Sequence, residues 1–300
     1  MKVLITGGSG LVGTRLTQLL TDKGAEVVWL SRKAGIKNGI ICYEWDYKKG
    51  TIDPRVFEGV THIIHLAGAG VFDKAWSNSY RKEIEDSRIE TTRLLFKNID
   101  LIKNLSAFIC SSAIGWYGNT LEDKEMYETE PPAADFLATI TQKWEQTADL
   151  FQDKGTRIVK IRIGIVLSDK GGALPSMLMP VKLGLGSPIA SGKQAISWIH
   201  IDDLCEIFIK ALEDETMKGV FNAVAPNPVD NKEFMKLSAS VLKRPFFMPN
   251  VPGIILRIIL GNEKSMSVIK GIRVSSQKIQ KQGYSFRFLN LKSALENLIK

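Results

Sequence analysis

The sequence predicts an α/β protein built on a doubly wound parallel sheet, with a smaller C-terminal α/β region on the substrate side. Three observations predict it. An apolar strand-type run, Lys2-Val3-Leu4-Ile5-Thr6, leads through Gly7-Gly8-Ser9-Gly10-Leu11-Val12-Gly13 into a segment with Leu11, Leu16, Leu19 and Leu20 at helical spacing. Strand-like and helix-like segments then alternate over the first 166 residues. The next strand, Glu26 to Leu30, ends in Ser31-Arg32-Lys33, at the distance where such folds meet a ribose.

The three spaced glycines divide the work of the first turn. Gly7 permits the tight turn, Gly10 lets backbone approach a pyrophosphate, and Gly13 lets the helix pack close to the strand. The helix N-terminus then offers N–H groups and a partial positive charge to the phosphates. An acidic residue after the second strand would receive the ribose hydroxyls of NAD, whereas an arginine suits a 2′-phosphate. Arg32 therefore makes NADP the expected cofactor of this Rossmann-type domain.

Composition narrows the class. At 300 residues and 44% hydrophobic, the chain has ample core and lacks an apolar run of bilayer length, so no membrane partner is expected. Met1 leads straight into the first strand, leaving no room for a signal peptide. Cys42, Cys110 and Cys205 are scattered and read as reduced thiols of a cytoplasmic protein. Of the formal +8 charge, most sits in residues 251–300, with nine Lys/Arg against Glu263 and Glu296. No nucleic-acid motif accompanies it, so this tail is expected to be a folded subdomain with a solvated basic face.

Taken in order, Ile40 to Glu44 forms a third strand closing with Trp45-Asp46-Tyr47. There Asp46 either accepts from an adenine amino group or simply caps the strand end. Asp53-Pro54 reads as a helix start. A fourth strand, Thr61 to Gly70, ends in small residues, Ala67-Gly68-Ala69-Gly70, which leave space for a ligand at the sheet edge. His62 and His65 are expected to be ordinary strand residues, and no metal site is expected. Residues 74–103 are helix-rich, with Arg81, Lys82, Glu83, Arg88 and Arg93 among apolar positions and most of these charges expected on a solvated face. Ala107 to Ser111 makes a fifth strand, continuing as Ser112-Ala113-Ile114-Gly115-Trp116-Tyr117-Gly118. An acidic, proline-containing loop from Glu122 to Ala134, a helix from about Asp135 to Lys154 and a sixth strand from Arg157 to Val166 follow.

Beyond Leu167 the texture turns to Gly171-Gly172-Ala173-Leu174-Pro175 and Gly184-Leu185-Gly186-Ser187-Pro188, the marks of a lid over the open end of the sheet. Ser197 to His200 returns to strand and enters a helix with an Asp as cap; 218–224 is a further strand and 230–243 a further helix. The expected organisation is a dinucleotide-binding core over 1–168 with 195–224 returning to it. Residues 169–194 and 225–250 form the substrate-side lid, and 251–300 the basic C-terminal subdomain.

Thr6-Gly7-Gly8-Ser9-Gly10-Leu11-Val12-Gly13, His65-Leu66-Ala67-Gly68, Ser111-Ser112-Ala113 with Tyr117-Gly118, and Trp198-Ile199-His200-Ile201-Asp202-Asp203 resemble the extended short-chain dehydrogenase/reductase superfamily. Leu30-Ser31-Arg32, Asp86 to Thr92, Lys143-Trp144-Glu145, Gly171 to Leu174 and Gly184-Leu185-Gly186 are similar to its atypical epimerase-family branch. So is a C-terminal domain running from Val251-Pro252 through Gly283-Tyr284. The resemblance covers essentially the whole chain and implies an NADP-dependent epimerase or oxidoreductase acting on a small carbonyl or sugar-type substrate, for instance a nucleotide sugar. By that resemblance Gly7, Gly10, Leu11, Val12 and Gly13 hold the pyrophosphate, and Ser31 and Arg32 the 2′-phosphate. Leu66 and Ala67 line the path to the nicotinamide, Glu83 and Arg88 contact the cofactor, and Val166 falls near the nicotinamide end. Each also has a plain packing or surface alternative.

The resemblance breaks at catalysis. Members of the superfamily pair a Tyr with a Lys four residues later, which lowers the Tyr pKa for proton exchange beside the nicotinamide. None of the six tyrosines here has such a Lys. With Glu145 taken as the family's Glu, Thr141 stands at the Lys position and Leu137 at the Tyr position, while Ala113 takes the Ser/Thr position beside Ser112. Two readings follow. In one, proton transfer has moved to Tyr117, Ser112, Lys143 or His200, with Tyr117 first because it follows the fifth strand. In the other, the chain is a catalytically silent NADP-binding sensor or scaffold. For Tyr117 the plain alternative is a packing aromatic.

Overall fold

The structure is a computed structural model that describes residues 1–120 and 124–299. In chain order its strands are β1 (Lys2–Thr6), β2 (Glu26–Ser31), β3 (Gly35–Lys37), β4 (Ile40–Asp46), β5 (Thr51–Ile52), β6 (His62–His65), β7 (Ala107–Ala113) and β8 (Glu125–Met126). They continue with β9 (Arg157–Ile163), β10 (Ile165–Leu167), β11 (Ala195–Ile196), β12 (Trp198–His200), β13 (Gly219–Ala223), β14 (Val229–Asp230) and β15 (Arg273–Val274). The helices are α1 (Leu11–Asp22), α2 (Asn78–Lys97), α3 (Phe136–Asp149), α4 (Ala173–Lys182) and α5 (Ile201–Glu213). They are followed by α6 (Asn231–Val241), α7 (Gly253–Leu260), α8 (Asn262–Ile269), α9 (Gln277–Lys281) and α10 (Leu291–Leu298). The expected acidic loop starting at Glu122 begins outside the described residues, as does the terminal Lys300.

The chain divides into two compact units, the first formed by 1–113, 139–162 and 205–221, the second by 114–138, 163–204 and 222–300. The large sheet runs in the order β13-β9-β7-β6-β1-β2-β4-β3. β1 pairs in parallel with both β2 and β6, β2 with β4, and β6 with β7. The chain therefore winds outward from β1 in one direction, then returns to its other side, which puts the topological switch between β1 and β6. This is the doubly wound parallel sheet that the alternating segments predict.

Buried Leu4, Val28, Ile63 and Phe108 from successive strands form the first unit's core with Phe57, Trp144 and Phe151. Phe108 and Phe151 stack with ring centroids 3.8 Å apart. At the outer edge the structure adds an element that the sequence reading passed over. β3 folds back antiparallel on β4 across Asn38-Gly39, both at positive φ (51° and 77°), as a two-residue hairpin turn demands. The helix expected from Asp53-Pro54 is one 3₁₀ turn, Pro54–Phe57, capped by the Asp53 carboxylate accepting from Arg55 N.

The expected sixth strand breaks at Gly164. A Cβ there would lie 2.4 Å from Ser197 O, so only glycine fits, and the chain passes from β9 to β10, which pairs in parallel with β12. In the second unit α4 supplies Leu174, Leu178 and Val181 to a core shared with Phe234, Leu291 and Leu295. Residues 169–194 are thus not only turns; their middle is a packed helix. Asp203, expected near a helix cap, lies inside the first turn of α5. It clasps the C-terminal segment instead: Oδ1 accepts from Tyr284 Oη and Arg287 N, both at 2.8 Å, and Oδ2 from Phe288 N at 3.1 Å. Among the described residues no helix is long and apolar enough to cross a membrane, and no cluster of potential metal ligands occurs. The three cysteines are free and buried.

Candidate functional site

The first unit carries a cleft of about 1760 Å³ along the carboxyl ends of β1, β2, β4 and β6, at the switch point. Its floor is the turn from β1 into α1. Gly7 has φ +69°, and a Cβ on it would stand 3.0 Å from the backbone of Leu66. A Cβ on Gly13 would stand 2.4 Å from Gly7 O and 2.6 Å from Gly8 Cα, so the helix seats directly on the turn. Gly8 makes room for the Trp29 indole, whose Nε1 donates to Thr17 Oγ1 at 3.0 Å. Gly10 occupies the N-cap of α1 with no side-chain cap and no acidic residue in the first turn. The N–H groups of that turn and the positive end of its dipole are left uncompensated by protein.

Thr6 and His65 fix the opposite wall. Leu66 N and Ala67 N donate to Thr6 Oγ1 at 3.2 and 3.1 Å. The Thr6 hydroxyl lies 2.7 Å from His65 Nδ1. Thr91 and Thr92 spend their hydroxyl protons on the carbonyls of Ser87 and Arg88, so their oxygens are left to accept from His65 Nε2 at 3.3 and 3.0 Å. The network therefore fixes a neutral, Nε2-protonated ring, and burial pushes its pKa down to about 3. His65 is a strut beneath the cleft.

At the β2 end Ser31 and Arg32 both line the cleft. Arg32 is exposed, and among the described residues its guanidinium has no partner. Lys33 and Lys37 line the same end, the latter delivered by the hairpin. Asp46 lines the cleft while accepting from Lys48 N at 2.9 Å and Lys49 N at 3.3 Å. Glu83, from α2, accepts from Tyr47 Oη and from Lys48 Nζ, each at 2.7 Å. Those two donors hold its carboxyl below the usual range, the lysine first.

The structure thus gathers Gly7, Gly10, Ser31, Arg32, Leu66, Ala67 and Glu83 around one cleft. Leu11 and Val12 form the first turn of α1 behind it. Arg88 is half-buried and spends Nη1 on Ala69 O and Ile84 O at 3.0 and 2.9 Å. Its guanidinium also lies 5.2 Å from the centroid of the Trp144 ring. With no carboxylate beside it, burial lowers its pKa to about 10. Val166 belongs to the second unit, on β10.

The candidate proton-transfer groups each have protein partners. Ser112 Oγ donates to Glu145 Oε1 at 2.6 Å. Arg162 grips the same carboxylate through Nε at 2.8 Å and Nη2 at 3.0 Å. Arg162 and Glu145 have only 2% and 5% of their side chains exposed. The Ser112 hydroxyl is thus the third donor on a buried Arg–Glu pair. Lys143 pairs with Glu85 at 2.6 Å. In the second unit Tyr117 is buried and donates to Asn222 Oδ1 at 2.8 Å, while Asn222 Nδ2 donates to Ser275 O at 3.1 Å. His200 stacks on Phe288 at 3.8 Å and meets Asn297 Oδ1 at 3.2 Å. Its pKa is lowered by burial, against the opposing pull of Asp202 and Asp203.

Sequence reasoning passed over the Arg162–Glu145 pair and Lys37. The first left a signal: Lys160 and Arg162 alternate along an otherwise apolar strand and demand buried partners.

Comparison with known proteins places this geometry. Residues 3–223 match the NAD dependent epimerase/dehydratase family, and residues 251–298 match a domain of unknown function, DUF1731. The human epimerase family protein SDR39U1 is 36% identical over 304 residues, covering all of both chains. A crystal structure of that human protein with NADPH superposes with a TM-score of 0.87 at 34% identity, covering 99% of each chain. A nucleoside-diphosphate sugar epimerase from Corynebacterium glutamicum superposes with a TM-score of 0.81 at 29% identity, covering all of this chain and 58% of that one. The chain belongs to the NAD dependent epimerase/dehydratase family, with the short-chain dehydrogenase/reductase fold.

Proposed function

We propose that the cleft binds NADP(H) and that the protein is an atypical NADP-dependent epimerase or oxidoreductase of a small carbonyl or sugar-type substrate. The observation that carries the reading is the unpartnered Arg32 at the β2 end of a cleft whose other end is the uncapped N-terminus of α1. One end suits a 2′-phosphate and the other a pyrophosphate. The tight glycine turn fits such a group, because a Cβ on Gly7 or Gly13 would strike the backbone of Leu66 or of Gly7 and Gly8 and lift the helix N-terminus off the turn. The NADPH bound by the human relative supports the same choice.

In this reading Gly7, Gly10, Leu11, Val12 and Gly13 hold the pyrophosphate, and Ser31 and Arg32 the 2′-phosphate. Leu66 and Ala67, pinned by Thr6, form the apolar wall on the way to the nicotinamide. Glu83 acts through Tyr47 and Lys48, which it ties across the adenosine side. Arg88 stiffens the Gly68–Ala69 turn, and Val166 belongs near the nicotinamide end. The nicotinamide supplies hydride transfer when bound. A nucleotide sugar is the favoured substrate class, on the likeness to the C. glutamicum epimerase. The same reading places the chain in the cytoplasm, where free cysteines stay reduced.

A second reading is favoured by a specific observation: Ser112, Tyr117, Lys143 and His200 all have protein partners. It makes the chain a catalytically silent NADP(H)-binding sensor or scaffold. Calorimetry with NADPH and NADH tests the shared part; no heat with either sinks both readings. A screen of carbonyl compounds and nucleotide sugars, followed by NADPH fluorescence, separates them. Substrate-dependent oxidation supports the enzyme with Tyr117 and Ser112 as first candidates, and tight binding without turnover supports the silent protein.

A further inference from the structure

The second unit carries an exposed apolar face that the cofactor reading does not use. α7 has no buried residue, and Ile254, Ile255, Ile258 and Ile259 are 60%, 43%, 79% and 70% exposed. The segment entering α7 runs beside the segment leaving α4. Val251 N donates to Pro188 O at 2.8 Å, Ala190 N donates to Val251 O at 2.9 Å, and Ser187 Oγ donates to Pro249 O. That offset sets Leu185 level with Phe247, which are 53% and 75% exposed. Four large aliphatic side chains exposed on one eight-residue helix mark an interaction surface rather than scattered surface residues.

Its charge is one-sided. Residues 170–201 and 234–262 hold three and four Lys/Arg respectively and no Asp or Glu. Lys182, Lys243, Arg244 and Arg257 have no ion-pair partner among the described residues, and Glu263 is the single carboxylate in residues 251–295. A second copy of the chain seated here would set cations against cations. A partner helix would need a groove, whereas α7 stands out with nothing buried. A phospholipid surface meets both features: the acyl boundary takes the isoleucines, and anionic headgroups take Arg257 on the same helix and the unpaired cations of these segments.

We propose that the α7 face docks peripherally on an anionic phospholipid surface. This lies outside the NADP(H) reading and revises the expectation of no membrane partner, because the lack of a spanning helix concerns crossing a bilayer, not lying on one.

The test is co-sedimentation of the full chain with vesicles of phosphatidylcholine alone and of phosphatidylcholine with phosphatidylglycerol. Binding to the anionic vesicles exceeds binding to the neutral ones by at least about tenfold and weakens with salt. The double variant Ile258→Glu, Ile259→Glu loses about tenfold of it while keeping the thermal midpoint and the NADPH affinity of the parent. No preference for anionic vesicles overturns the proposal, as does equal binding by the variant. So does a dimer in light scattering that the variant converts to monomer without any vesicle binding, which assigns the face to a second copy.

Discussion

Replacing Arg32 with alanine isolates the feature that selects the cofactor. The guanidinium is exposed and has no partner among the described residues, so its loss leaves the free protein's stability within about 0.5 kcal/mol of the parent. The whole effect therefore falls on the complex. A hydrogen bond to a charged group contributes about 1.5–3 kcal/mol, and each 1.4 kcal/mol is about tenfold in affinity. The lower half of that range applies here, because the site is open to solvent and Lys33 and Lys37 line the same end of the cleft. NADPH affinity should fall roughly ten- to fortyfold by calorimetric titration, and NADH affinity should change less than about twofold. The gap should narrow as salt rises. Equal losses for the two nucleotides would refute the assignment of Arg32 to the 2′-phosphate, and an unchanged NADPH affinity would refute it more simply.

Three further outcomes follow from the geometry. Gly13→Ala places a Cβ 2.4 Å from Gly7 O and 2.6 Å from Gly8 Cα; backbone must move, so stability should fall by about 1–3 kcal/mol and NADPH affinity with it, as thermal unfolding and titration will read. Glu145→Ala leaves the buried Arg162 without its carboxylate and should cost about 3–5 kcal/mol in denaturant unfolding, whereas Ser112→Ala should cost only about 1 kcal/mol; similar losses for the two would contradict the picture of an Arg–Glu pair with a serine attached. His65 titrates at about 3 in the fold against 6.5 in the unfolded chain. Between those values the unfolded chain takes up a proton that the native chain refuses, so stability falls with pH by up to about 1.4 kcal/mol per unit. His62 and His200 are shifted in the same direction and add to it. A melting temperature that holds or rises as pH drops through that window would count against a neutral His65.

How much of this was legible depends on whether the cause was local. The β1–turn–α1 unit was, because each glycine there answers a contact within a few residues of itself: Gly10 N donates to Gly7 O at 2.9 Å, and Gly13 abuts Gly7 and Gly8. The β3–β4 hairpin was equally local, since Asn38-Gly39 is a strong two-residue turn signal, but its strand of three exposed residues, Gly35–Lys37, shows no apolar alternation to draw attention. Asp203 was not legible. Next to a strand end an aspartate reads as a cap, and nothing nearby announces that Tyr284, Arg287 and Phe288 will come to it from more than eighty positions on. The break at Gly164 is of the same kind, its reason being Ser197 O across the pairing.

The same distinction bears on catalysis. The missing Tyr-to-Lys spacing is visible in the chain, but what replaces it is a matter of long-range partners. With Glu145 taken as the family's Glu, the resemblance sets Leu137, Thr141 and Ala113 at its positions, none of them able to exchange a proton near neutrality. The polar groups beside them have been drawn into structure instead: the Ser112 proton rests on a carboxylate already neutralised by Arg162, and the Tyr117 phenol spends its proton on Asn222, which in turn ties to Ser275. For Tyr117 to act as an acid, Asn222 would have to give up that bond and leave a buried amide oxygen unsatisfied, at about 1–3 kcal/mol. A substrate hydroxyl or carbonyl arriving at Tyr117 must offset that loss, so Asn222→Ala, which removes the bond at its source, should raise any turnover that depends on Tyr117. If turnover exists and falls in that variant while NADPH affinity holds and the protein stays folded at the assay temperature, the tyrosine is not its source.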